Sequence, residues 1–400
     1  MFEPLTGVRV IDLSQVLAGP YATYLLALMG AEVLKIEKPG EGDWTRVGGS
    51  VPDLSERKMA PNFLTQNSAK KSVAINLKVP DGVAVLKKLI AGADVFVENF
   101  KPGVADRLGL GFQELRAINP RLVYCSISAY GQTGPLSSRP AYDHVIQGMS
   151  GIMKTTGRPG DGPTKVGAPY VDYATGMNAA MAVLAGLLEA RRTGSAVQVD
   201  VAMLDTALML MASLMTMHLS TGWQPSQNGN EAWSASPSSG AFETADGLLM
   251  LAANHDTQFR NLCRGIDRAD LLEDPRWKSA EERATNAGSL RQTLLEIFRT
   301  RTAAEWEVVL EEVAVPAARV RGLEEILHEE QVRARGIISE IKVAGFDGTV
   351  HVPNLSFLAN GSSCPPKTGP STLGCDTEEV LLSAGLGQAE LSALRRANAI

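Results

Sequence analysis

Apolar residues in the first 130 positions follow two alternating rhythms. Short runs rich in β-branched residues occur at Val8–Leu13 (VRVIDL), Glu32–Ile36, Ser72–Leu77 (SVAINL), Asp94–Val97 and Leu122–Ile127 (LVYCSI). At four to six residues each they read as strands. Between them, Tyr21–Met29, Gly82–Ala91 and Phe112–Ile118 place apolar side chains at helical spacing. Strand–helix–strand alternation with short connections predicts an α/β fold. Its parallel sheet is covered on both faces by right-handed crossovers.

The pattern then changes. Tyr173–Arg192 reads as a long helix whose Gly176, Ala179, Ala180, Ala182, Ala185 and Gly186 let another element approach closely. A second apolar helical stretch is predicted at Val201–Met217. It carries Asp205 and falls short of the ~20 residues a bilayer requires, so no membrane span is expected. Gln224–Gly240 is rich in Ser, Pro, Gly and Asn and reads as a linker or ligand-side loop. Beyond it, a hairpin at Phe242–Leu251, turning near Asp246-Gly247, precedes several charged helices. The tail from Gly336 is strand-like, loop-rich over Asn360–Gly374, and closes with two short helices. The expected division is a large α/β domain over residues 1–223, a linker and small domain over 224–335, and a C-terminal segment over 336–400.

Composition narrows the function. The 38 Lys and Arg against 44 Asp and Glu give a net charge of −6, which argues against a nucleic-acid partner. The 44% hydrophobic and 20% charged residues exclude global disorder. Met1-Phe2-Glu3-Pro4 lacks the basic start of a secretory signal, so a cytoplasmic location is expected. Cys125, Cys263, Cys364 and Cys375 form no CxxC pair, and the five histidines are scattered, so neither disulfides nor a metal site is expected. Residues 1–110 are nonetheless slightly basic, with 13 Lys/Arg against 12 Asp/Glu, while the remainder has 25 against 32. Lys35, Lys38, Lys70, Lys71, Lys78, Lys101 and Arg107 fall near predicted strand ends, where an open α/β sheet takes ligands, so the group is a candidate for holding an anion.

The turn after the first strand, Ser14 to Pro20, has no GxGxxG, and no P-loop occurs, which disfavours a nicotinamide dinucleotide. Asp172, in VGAPYVD before the long helix, admits two readings: a helix N-cap, or a carboxylate nucleophile kept ionised at neutral pH by helix-end amides. Ser126 and Ser128 lack a GxSxG elbow, His144 reads as structural, and Cys125 as core.

Several long stretches, in order, resemble the family III CoA-transferases (the CaiB/BaiF family). They are LTGVRVIDLSQVLAGPYATYLLALMGAEVLKIEKPGEGD, NSAKKSVAINLK, DVFVENFKPGVADRLGLG, LVYCSISAYGQTGP, RPAYDHVIQGMSGIM, VGAPYVDYATGMNAAMAVLAGLLEARRTGSAVQVDVAMLD and PSTLGCDTEEVLLSAGLG. The resemblance is weakest over 224–335. It implies that family's fold: a Rossmann-like large domain built from both chain ends, a smaller α+β domain, and an interlocked homodimer. It also implies an enzyme that moves CoA from an acyl-CoA donor to a carboxylic acid acceptor, with no metal and no nicotinamide. Asp172 matches the family's catalytic aspartate, which forms aspartyl anhydride and aspartyl-CoA thioester intermediates. Ala18, Lys38, Ile75, Lys78, Asn99, Phe100 and Arg107 match CoA-binding positions, Lys38 and Arg107 toward phosphates and Ile75 toward the adenine. Because the anhydrides hydrolyse readily, a loop that excludes water is expected, and Gln224–Gly240 is the candidate.

The departures are informative. Formyl-CoA:oxalate members carry His and Gln where this chain has Gln15 and Leu17, and Lys where it has Ser128. Leu17 implies a less polar acyl pocket. The alternative activity in the family is acyl-CoA racemisation or isomerisation by α-proton exchange. That branch uses a GHD triplet where this chain has Ala141-Tyr142-Asp143, so one of two bases is missing.

Overall fold

The computed structural model of the chain describes residues 2–400. They form two compact units. Residues up to Met153, Lys165–Gln224 and Glu330–Ile400 make the first; Lys154–Thr164 and Pro225–Glu329 make the second. The excursion at 154–164 is rich in Gly and Pro (Gly157, Pro159, Gly160, Gly162 and Pro163), a loop signal that the division expected from sequence did not use.

The first unit is built on six parallel strands: β1 (Arg9–Asp12), β2 (Glu32–Glu37), β3 (Lys71–Ala74), β4 (Val95–Glu98), β5 (Val123–Ser128) and β6 (Val197–Ala202). They lie in the order β3-β2-β1-β4-β5-β6. The chain moves outward from β1 in one direction, then returns and moves outward from β4 in the other. That doubly wound order opens a crevice beyond the carboxyl ends of β1 and β4, where the strand order reverses.

Alternation along each strand feeds two cores. Val10, Val33, Val97, Val123 and Cys125 face one side with helices α1 (Ala18–Leu28) and α5 (Tyr170–Thr193). Ile11, Leu34, Val73, Phe96 and Tyr124 face the other, with α2 (Pro80–Ala91) and α3 (Phe112–Ile118). Val380, Leu381 and Leu391 from the two C-terminal helices close that second core, so the chain's end returns to the first unit. Helix α4 (Asp143–Ser150) lies between β5 and α5 in sequence. The small residues of α5 serve close packing: a Cβ on Gly176 would lie 2.8 Å from the Ala18 carbonyl oxygen and 2.9 Å from the Tyr21 ring.

One expected helix is corrected. Val201–Met217 is not continuous; it begins inside β6, and two helices, Met203–Met209 and Ala212–Thr221, follow with a 75° bend between them. VQVDVA alternates with period two, placing Val197, Val199 and Val201 against the core while Gln198 and Asp200 are exposed. Length and composition alone do not decide the role of the longest helix. The 24-residue α5 is by length and composition apolar enough to cross a bilayer, although its buried face packs against α1 and the sheet.

In the second unit, β7 (Ser239–Glu243) and β8 (Leu248–Ala252) form the expected hairpin about Asp246-Gly247, and β9 (Ala317–Arg319) adds a third strand. Phe242, Phe259, Trp277, Phe298 and Trp306 fill its core.

Candidate active site

The site is assembled from the loops that leave β1, β4 and β5. The β1 loop is held from below by a buried charge network. Asp12, fully buried, accepts from the Ser14 amide (2.9 Å), Thr23 Oγ1 (2.6 Å) and Lys70 Nζ (3.0 Å). Lys35 Nζ donates to the Ser14 carbonyl (2.9 Å) and pairs with Asp43 (3.0 Å). Burial alone would raise the Asp12 pKa, but Lys70 and Lys35 outweigh it and hold the carboxyl below its ordinary range.

Above this network the backbone is clamped residue by residue. Asn99 accepts from the Gln15 amide (2.9 Å) and donates to the Gln15 carbonyl (2.8 Å), joining the loops on either side of the strand-order reversal. Asp43 takes the Val16 amide (3.2 Å) and Gln66 donates to the Val16 carbonyl (2.8 Å). Val16 has φ +74°, a left-handed conformation that costs a β-branched residue strain. Three side chains, Asn99, Asp43 and Gln66, therefore hold the loop around a conformation that valine disfavours.

The loop walls a cavity of about 370 Å³ together with Asn99–Pro102, Ile127–Ala129, segments of Ser137–Tyr142, Asp172 and Met203. Its lining is largely apolar. Among the described residues, Lys101 and Arg139 are its cations, Asp172 is its one carboxylate, and no histidine or cysteine contributes. The Ser128 hydroxyl on this wall is buried without a hydrogen-bond partner among the described residues.

Asp172 is the third residue of α5, and the N-cap position belongs to Pro169, whose side chain cannot cap. The N-cap reading of Asp172 is therefore corrected. Asp143, from α4, caps instead: its Oδ2 accepts from the amides of Val171 (2.8 Å) and Asp172 (3.2 Å). The expectation that helix-end amides keep Asp172 ionised at neutral pH is corrected on two grounds, burial and a neighbouring carboxylate. Burial, then the negative charge of Asp143, push its carboxyl up to about 7. The helix-end amides that would have favoured the anion serve another carboxylate.

Of the positions matched to CoA binding, Ala18, Asn99 and Phe100 line the cavity that holds Asp172. Lys38, Ile75, Lys78 and Arg107 lie outside its lining, following the carboxyl ends of β2, β3 and β4. Lys38 is ion-paired to Glu41. Lys78 and Arg107 are exposed. The Ile75 side chain is 1% exposed and packed in the core, leaving only its backbone for a ligand. The anion-binding expectation for the lysine group is corrected at its two buried members, Lys35 and Lys70. Lys35 and Lys70 are buried in internal ion pairs, and Lys71 pairs with Glu32 and Glu379. Sequence reasoning passed over Asp143, Gln147 and Arg139. The available signal was a chain entering α5 through Gly167-Ala168-Pro169 with no capping side chain of its own.

Among the described residues no group of three His, Cys, Asp or Glu side chains is placed to hold a metal. Tyr142, at the position of the racemase histidine, is exposed, its ring stacked beside His144 with centroids 6.5 Å apart.

The chain is similar to known CoA-transferases over most of its length. The chain is 35% identical to succinyl-CoA:glutarate CoA-transferase of Mus musculus, covering 95% of this chain and 86% of that protein. It is 38% identical to succinate–glutarate CoA-transferase of Agrobacterium fabrum, covering 87% of each. It is 35% identical to acetyl-CoA:oxalate CoA-transferase of Acetobacter aceti, covering 86% of this chain and 90% of that one. Among solved structures, a CaiB/BaiF family protein from Brucella suis superposes with a TM-score of 0.83 at 29% identity, covering 96% of this chain and all of that one. Rv3272 of Mycobacterium tuberculosis gives 0.81 at 32% identity, covering 94% and 98%. The family model of CoA-transferase family III matches residues 5–377, and with relatives of this identity and coverage the chain belongs to that family of enzymes.

Proposed function

We propose that the enzyme transfers CoA from an acyl-CoA to a carboxylic acid with Asp172 as covalent nucleophile. The observation that carries this reading is the position of Asp172: the one carboxylate lining the crevice where the strand order reverses, with no group bonded to its oxygens among the described residues. Its carboxylate attacks the thioester carbonyl, forming an aspartyl anhydride and releasing CoA thiolate. The thiolate attacks the aspartyl carbonyl of that anhydride, giving an aspartyl-CoA thioester and the free donor acid. An acceptor carboxylate then displaces the thiolate to form a second anhydride, and the thiolate takes its acyl group, restoring Asp172. Each step is an exchange between groups held in one cavity, which replaces an unfavourable encounter of weak nucleophiles by intramolecular attack.

Ala18, Asn99 and Phe100 would bind the thiol end of CoA in the cavity. Exposed Lys78 and Arg107, together with Lys38, would meet its phosphates, and the backbone at Ile75 the adenine. No metal or nicotinamide takes part in these steps. The relatives named above act on succinyl, glutarate, acetyl and oxalate groups, and we assign short dicarboxylic acids as acceptors here. Lys101 and Arg139 supply positive charge for them, Ser128 a free hydroxyl, and Leu17 an apolar wall.

The assembly is assigned as a homodimer. Helix Ala212–Thr221 buries none of its residues, and Met181 and Leu188 of α5 are exposed, apolar surface suited to a second copy. Sedimentation at micromolar concentration should give twice the chain mass, and a monomer would remove this assignment.

The activity is tested by incubating the protein with succinyl-CoA and a panel of acids. Formation of the acceptor's CoA thioester is expected with glutarate or oxalate. Solvent deuterium entering the acyl α-carbon without any acceptor, and no thioester exchange, would establish proton exchange instead.

A further inference from the structure

The carboxylate at position 143 does more than end a helix. Asp143, the first residue of α4, is buried, and its two oxygens reach two different parts of the chain. Oδ2 takes the first-turn amides of Val171 and Asp172, while Oδ1 accepts from Gln147 Nε2 at 2.5 Å. Gln147, itself fully buried one turn later on the same helix face, accepts the Val166 amide through Oε1 at 2.8 Å. One pair of side chains on α4 thus grips both ends of the segment Val166–Asp172. That segment contains Gly167, Ala168 and Pro169, which have no side chain able to hold the helix end themselves.

A carboxylate three residues into a helix ordinarily folds back onto free amides of the first turn, which satisfies it and lowers its reactivity. Here the Val171 and Asp172 amides already have an acceptor. Building on the reading of Asp172 as nucleophile, we propose that Asp143 is a positioning residue for it. Asp143 occupies the amides that Asp172 would otherwise use, and so keeps the Asp172 oxygens turned to the cavity and poorly stabilised as an anion. Gln147 fixes the geometry of Asp143 and is part of the same device. The raised pKa of Asp172, driven by burial and then by Asp143, agrees with this arrangement. Among the described residues, the other charged or titratable groups around the pair are Lys101 and Arg139 from the cavity loops, Tyr142 beside α4, Tyr170 and Tyr173 on α5, and Tyr21 of α1, which stacks edge-on against Tyr173.

The test uses the full chain and two variants, with succinyl-CoA as donor and glutarate as acceptor. Asp143→Asn keeps an acceptor oxygen for the amides and removes the charge. Its acidic limb of kcat/KM is expected to move to lower pH by about half a unit or more, because a like charge beside Asp172 is gone. Asp143→Ala frees the amides for Asp172. With circular dichroism unchanged, kcat at pH 8 is expected to fall about tenfold or more while KM changes little, since the loss falls on the reacting carboxylate and not on CoA. If Asp143→Ala fails to fold, the limb of Asp143→Asn decides. A folded Asp143→Asn with the limb of the parent overturns the proposal, as does a folded Asp143→Ala with the parent's kcat. These outcomes are separate from failure of the nucleophile reading, which would show as exchange persisting in Asp172→Asn whatever the behaviour at position 143.

Discussion

Asp172→Asn is expected to abolish CoA exchange, by a factor of about 10³ or more, while leaving the protein at least as stable as the parent above pH 7. The two halves of that expectation have one cause. The carboxyl titrates near 7 in the folded protein against an ordinary 3.8. The folded chain therefore holds this proton more tightly than the unfolded chain does. Its favourable contribution is complete below about pH 3.8 and is lost as pH rises toward 7. Above that, keeping the anion in its pocket costs at most about 4 kcal/mol, reduced by the partial exposure of the side chain. Asparagine cannot ionise and escapes that cost. Thermal melts should show the variant's advantage growing from pH 4.5 to pH 8. In the parent, kcat/KM should rise through an apparent pKa near 7, falling about tenfold per pH unit on the acidic side as the nucleophile is protonated. A variant that retains exchange, or melts whose difference shrinks with rising pH, would contradict the assignment.

The largest expected loss of stability lies beneath the β1 loop. Asp12→Ala should destabilise the protein by about 3–5 kcal/mol, because it leaves a buried ammonium without its carboxylate. Lys70 is fully buried, and even with Asp12 present its burial pulls it down to about 8. Removing Asp12 also strips the Ser14 amide of its side-chain acceptor and the Thr23 hydroxyl of its shortest one. The Asp12 pKa is lowered in the folded state, so its contribution is present above the ordinary 3.8 and disappears as pH falls through the lowered value. Urea midpoints of parent and variant should thus lie far apart at pH 7 and converge in strong acid. Lys70→Met in the same chain should recover part of the loss, since it removes the stranded charge. A midpoint shift equivalent to less than about 1 kcal/mol at pH 7 would mean that the network is solvated.

The parallel sheet was readable because β1 to β5 are largely buried and rich in β-branched and other apolar residues. Strand β6 was not, since one face is exposed and its alternating VQVDVA runs directly into an apolar helix. The hairpin about Asp246-Gly247 was marked by local turn chemistry. At the site, strand ends located the crevice, and resemblance singled out Asp172. What escaped were contacts between distant residues. Asp143 caps a helix that begins 27 residues later, and nothing in a run of side chains announces that pairing. Lys35 lies within β2 and Lys70 just before β3, and only the third dimension shows them turned inward to carboxylates. Val16 gives no hint of a left-handed backbone, because valine is among the last residues expected there.

The most direct test is chemical capture of the nucleophile. Hydroxylamine added while the enzyme exchanges CoA between succinyl-CoA and glutarate should convert position 172 to a hydroxamate. Peptide mass spectrometry should find that mark on the segment spanning residues 166–192 and nowhere else. A protein that exchanges CoA at the normal rate and resists inactivation, with Asp172 unmodified, would contradict the account.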